Sequence, residues 1–246
     1  MAGDLTFGLS LVADDPNLTF IAFVGLVLLT VVAARFGAYA YLNVRATEMA
    51  AQRVLWEYLL SVGVVAALYG VVGVLEIVSS IRTPYKNGVM LAVVLLLALS
   101  VREIYFNAAL SSSAADRSNG FAGRRLVEVA FVGVVAAVVF GVAVVGVVRP
   151  LLALQSVGAL VIAGYGFWFG RRQTAAAMVQ GTMIDSLLRH LLPVMAFATL
   201  VPAVDLATIA GLDRVVVVHV QVVFVIMTAT ALMTATIKLR QNLASL

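Results

Sequence analysis

Apolar residues run nearly unbroken for about twenty positions at a time, and seven such runs fill most of the 246-residue chain. They are Leu18 to Tyr41, Val54 to Ser79, Gly88 to Leu110, Leu126 to Val148, Leu151 to Gly170, Thr182 to Pro202 and Val215 to Ile237. At 1.5 Å per residue, a helix of about twenty residues crosses a hydrocarbon core about 30 Å thick. Strands of a membrane barrel would alternate polar and apolar side chains over about ten residues, and the run from Met90 to Ser100 does not alternate. The pattern predicts an all-α integral membrane protein. We expect one seven-transmembrane-helix bundle over residues 1–246.

Composition agrees, with 63% hydrophobic and 11% charged residues against about 45–50% and 25% in ordinary soluble domains. The net charge of +4 does not point to nucleic acid, because the sixteen basic residues are scattered along the chain, most of them near the ends of the runs. Their distribution sets orientation instead. One set of loops and the C-terminal tail carries Arg45, Arg53, Arg117, Arg124, Arg125, Arg171, Arg172, Lys238 and Arg240, and the other carries Arg82, Lys86, Arg149 and Arg214. Nine against four places the first set in the cytoplasm, the N-terminus outside and the C-terminus inside a multi-pass cell-membrane protein. The first twenty residues lack a basic n-region and carry Asp4, Asp14 and Asp15, unlike a cleaved signal peptide. Fourteen of the sixteen basic residues are Arg, a usage associated with GC-rich prokaryotic genomes.

Ionisable residues inside apolar spans are expensive and therefore functional candidates. Eight fall in the cytoplasmic third of the expected bundle: Arg35, Glu57, Arg102, Glu103, Glu128, Asp185, Arg189 and His190. Three Arg nearly balance four carboxylates, so pairing across helices is expected, and the set is a candidate intramembrane polar network. Asp185 and Arg189, four residues apart, share a helix face. At the outer ends lie Glu76, Arg82, Lys86, Arg149, Asp205, Asp213, Arg214 and His219, of which Glu76 and His219 are drawn into apolar runs and could line an outer vestibule. Pro193 interrupts span six and is a candidate hinge. Gly166 to Gly170 holds Trp168 beside Arg171, a composition suited to an interfacial belt.

Cysteine is absent, which removes disulfides, thiolate metal sites and cysteine nucleophiles. Two histidines assigned to opposite faces cannot be the two axial ligands of one haem, and they offer no metal site. Seven helices with an outside N-terminus is also the topology of microbial rhodopsins and many receptors. A retinal Schiff base needs a lysine in the middle of span seven, and Val215 to Ile237 contains none. No His-Glu-x-x-His, Gly-x-Ser-x-Gly or P-loop motif suggests catalysis. The cofactor is therefore left open.

These features lead us to expect a sensory or signalling protein that works in the lipid bilayer through a cytoplasmic or membrane protein partner, with no nucleic acid. If a soluble partner docks, the polar loop from Ser111 to Arg125 is the place expected for it; the plainer reading of that loop is a solvated linker. Two alternatives stand beside it: a proton, ion or solute transporter or channel using Glu57, Glu103, Glu128 and Asp185, and a structural subunit of a membrane complex.

Overall fold

The computed structural model describes residues 8–47, 50–79, 81–109, 121–175 and 183–244. The described residues form a short 3₁₀ turn, Val12–Asp14, then α1 (Pro16–Ala46), α2 (Ala50–Val78), α3 (Lys86–Ala109), α4 (Phe121–Val145), α5 (Arg149–Ala175), α6 (Met183–Ala203), α7 (Asp205–Ile209) and α8 (Arg214–Ala244). All but α7 are long and apolar enough to cross a membrane. The polar loop expected at Ser111 to Arg125, linker or docking segment, lies outside the described residues as far as position 120.

Helix ends follow local chemistry. Asp15 caps α1 by accepting from the backbone N–H of Asn17 at 2.8 Å and of Leu18 at 3.2 Å, and Pro16 supplies a preset first turn. α4 stops at Gly146, whose φ of +81° takes the chain out of the helix three residues before α5 begins. Within the helices, hydroxyls of Thr30, Ser100, Thr199 and Thr228 donate to the carbonyl four residues earlier. In an apolar surrounding that bond satisfies a group that would otherwise go unpaired.

Consecutive helices pack antiparallel, and α8 closes the ring against α1 and α6, while α3 also contacts α5 and α6. α3 is thus the central helix, with 67% of its apolar window buried, and α4 the peripheral one, with 11%. α1 and α2 cross with their backbones close together, since a Cβ on Gly63 would stand 2.6 Å from the Gly37 backbone. The interior is filled by Leu29, Phe36, Leu59, Leu91, Leu97, Ile162 and Leu191, each essentially inaccessible. The outside is apolar too: Val31, Val64, Val129, Phe140, Val161 and Val223 are exposed. A helix ring that is apolar on both faces suits lipid as its solvent.

An odd number of crossings puts the two termini at opposite ends of the ring. The end covered by the N-terminal arm, residues 8–15, is here called the arm end, and the other the tail end. The arm is pinned by Ser10 N–H donating to the Ile77 carbonyl at 2.8 Å and Val12 N–H to Thr19 Oγ1 at 2.8 Å.

Candidate functional site

At the tail end the charged side chains pair. Arg102, 6% exposed, binds the Glu103 carboxylate at 3.2 Å and the Glu128 carboxylate of α4, which ties the peripheral helix to the central one. Asp185 is buried and accepts from Arg189, one turn on, at 3.1 Å. Glu57 pairs with Arg53 at 3.1 Å on the exposed side of α2, and Arg35 is exposed on α1. The His190 ring packs back on its own helix, with Nδ1 at 2.6 Å from the Ser186 carbonyl.

Aromatic rings fill the space beside Arg102. Tyr105 and Phe106 of α3, Phe131 of α4, and Tyr165 and Phe169 of α5 pack in edge-to-face or tilted pairs with centroids 5.0–5.6 Å apart. Trp168 faces outward with the Arg172 guanidinium 3.8 Å above its ring. Asn43, fully buried, donates to the Leu239 carbonyl at 3.4 Å and accepts from Asn242, joining α1 to α8.

The arm end is built differently. α6 runs without a break through Pro193, which is exposed, and the helix gives way only at Val204, after Pro202. The short α7 then closes with Gly211 at φ +97°, where Gly211 and Leu212 N–H donate to the Thr208 and Ala207 carbonyls. This detour turns Asp205 into the bundle, 6% exposed, instead of leaving it in a solvated loop.

Three amides clasp the Asp205 carboxylate. Asn87 of α3 and Gln155 of α5 donate to Oδ2 at 3.0 and 2.9 Å, and Gln221 of α8 donates to Oδ1 at 2.9 Å. Gln221 gives its other hydrogen to the Val201 carbonyl at 3.0 Å, and Ser156 donates to the Pro202 carbonyl at 2.7 Å. Both carbonyls belong to the last turn of α6, where the helix break leaves acceptors to be satisfied from outside. Four elements thus meet on one carboxylate.

Asp205 stands in the wall of a cavity of about 880 Å³, roofed by the N-terminal arm. Tyr69 and Glu76, two turns apart on α2, line the same cavity, as do Lys86 and Arg214. Glu76 is already engaged: it accepts from Lys86 Nζ, from Thr83 Oγ1 and from the Thr83 N–H at 2.9 Å, which fixes the α2–α3 turn. His219 is exposed outside the cavity, with Nδ1 on the Val215 carbonyl at 2.8 Å and Nε2 at 3.9 Å from Asp15.

The residues singled out from sequence therefore separate. Arg102, Glu103 and Glu128 come together, Asp185 and Arg189 pair along one helix, and Glu76 joins the cavity. Asn87, Gln155 and Gln221, which charge counting passes over, hold the buried carboxylate. Their signal was available as amide side chains at or inside the edges of apolar spans, where a polar group must find a partner. Among the described residues no three His, Asp or Glu come together as a metal site. Comparison with protein families, curated proteins and solved structures finds no match.

Proposed function

We propose that the protein is a seven-helix sensory membrane protein that receives a small polar ligand at the arm end and passes a change in helix packing to a partner at the tail end. The carrying observation is the convergence of α3, α5, α7 and α8 on Asp205 in the wall of the 880 Å³ cavity. Ligand sites commonly occupy about 300–1,000 Å³, with few polar groups among apolar walls. A ligand in this one touches several helix ends at once, so it shifts the bundle toward whichever arrangement it binds better. α8 supplies the mechanical connection: Gln221 is in the cavity and Asn242, roughly 30 Å along the same helix, is tied to α1 through Asn43. In this reading the arm end is outside the cell membrane and the tail end cytoplasmic, as the basic residues suggest.

The apolar middle favours reception over conduction. Between the cavity and the Arg102 cluster the interior is closed by Val62, Val94, Leu97, Ile162, Met195 and Leu232. A transport cycle would require these side chains to part.

Tryptophan emission tests the reading. The two tryptophans, Trp56 and Trp168, lie toward the tail end, with Trp56 about 20 Å along α2 from Tyr69. Purified protein in nanodiscs is titrated with a panel of amines, carboxylates, sugars and nucleosides. A solute whose binding depends on Gln155 or Gln221 and also shifts tryptophan emission is expected. Binding with unchanged emission, together with solute flux in sealed liposomes, overturns the sensory reading in favour of transport.

A further inference from the structure

We propose that the arm-end cavity recognises the protonated primary amine of a small water-soluble molecule, with Asp205 as its counter-ion. The inference rests on the cavity being a ligand site, and it adds the chemical class of the ligand.

The charges around the cavity divide by depth. Glu76 is neutralised by Lys86 within the α2–α3 turn. Arg82, Arg214 and Asp14 are exposed. Asp205 is the buried carboxylate of the cavity wall, and among the described residues its contacts are three uncharged amides and no cation. Arg214 attracts it from a distance without forming an ion pair. Amide donors hold a carboxylate in place, but they bring no opposite charge to it. Three of its roughly four acceptor positions are taken, so one lone pair on Oδ1 is available.

Several polar groups close to Asp205 can accept hydrogen bonds. Asn87, Gln155 and Gln221 each spend one amide hydrogen on Asp205, Gln221 spends its second on the Val201 carbonyl, and the three amide oxygens accept nothing from the described residues. Tyr69, 3% exposed, lines the cavity, lies within electrostatic range of both Glu76 and Asp205, and makes no hydrogen bond among the described residues. A primary ammonium brings three donors and one positive charge, which matches a lone carboxylate, amide oxygens and a phenol. Its positive charge also suits the face of an aromatic ring. A bare metal ion would not use a space of 880 Å³, and an anion would have to stand against Asp205.

The probe is n-butylammonium chloride, titrated by calorimetry into the full chain in phosphatidylglycerol nanodiscs, which supply no ammonium headgroup. 1-Butanol and butyrate serve as neutral and anionic counterparts of the same shape. Butylammonium is expected to bind at least ten times more tightly than either. Asp205→Asn is expected to abolish the difference, and Tyr69→Phe, which leaves the clasp intact, to weaken butylammonium several-fold. Because Asp205→Asn alters the clasp itself, its fold is checked by circular dichroism, and the three-probe comparison on the unaltered chain stands without it. Equal binding of butanol, tighter binding of butyrate, or full butylammonium affinity in Tyr69→Phe together with a folded Asp205→Asn overturns the assignment. Tryptophan emission is recorded in the same titration. Amine binding with unchanged emission leaves the amine site standing and removes the sensory reading, whereas a carboxylate or sugar that binds and shifts emission does the reverse.

Discussion

The two ends of the bundle each bury a charged side chain, and they stabilise it by opposite means. At the tail end Arg102 meets two carboxylates, from its own helix and from α4, so its positive charge is met directly by opposite charge. Rings of Tyr105, Phe106, Phe131 and Phe169 then pack the surrounding space. At the arm end Asp205 is held by dipoles from three helices, with no cation in contact among the described residues, and a cavity lies beside it. Ion pairing produces a locked junction between two helices, in which the one guanidinium is shared by two carboxylates. Amide clasping gathers four elements on one carboxylate without a counter-charge in contact among the described residues, which is the better starting point for recognition.

The comparison is most exposed at Arg102. Arg102→Gln leaves two partly buried carboxylates facing each other and is expected to cost about 3–5 kcal/mol, measured by denaturation in mixed micelles. Its coupling to Glu128→Gln in a double-mutant cycle is expected on the order of 0.5–3 kcal/mol. Additive effects would show that the close approach of Arg102 and Glu128 contributes no interaction energy.

A smaller loss is expected at the other end. Gln221→Ala removes one donor from Asp205 and one from the Val201 carbonyl, for about 1–3 kcal/mol in the same assay. If it exceeds Arg102→Gln, the arm end is the more rigid junction and the contrast is inverted. The smallest effect belongs to Glu57→Ala, because its pair with Arg53 is exposed on both sides. Such pairs contribute about 0–1 kcal/mol, and a change in unfolding midpoint outside that range would mean that Glu57 belongs to the buried layer after all.

Much of this architecture was legible beforehand. Seven spans were expected and seven long apolar helices are present, because a run of about twenty apolar residues has few other stable uses. Helix ends differ from the expected ones by several residues in places: α1 continues to Ala46 and α8 to Ala244, since a helix need not stop where its side chains become polar. α4 instead ends early, at Val145, where Gly146 adopts a positive φ. The five-residue α7 went unforeseen, as its turn is set by the Pro202 break and the Gly211 cap acting together.

The site was legible only in fragments. Arg102, Glu103 and Glu128 stand out by charge, and burial rewards pairing them, so their proximity follows from a rule applicable to sequence. Glu76 stands out for the same reason. Asp205 looked like one of several charges at the outer ends, and Gln155 and Gln221 are uncharged residues 66 positions apart in the chain. Nothing local to any of them announces the others.

From its sequence alone the chain was bound to form apolar helices of membrane-spanning length, because backbone hydrogen bonding in an apolar medium leaves a segment of that composition little choice. Which polar groups would meet, and whether a buried charge would be cancelled or left to be used, depended on helix order, rotation and the detour at α7. Those are properties of packing among elements distant in sequence, and only the tertiary structure decided them.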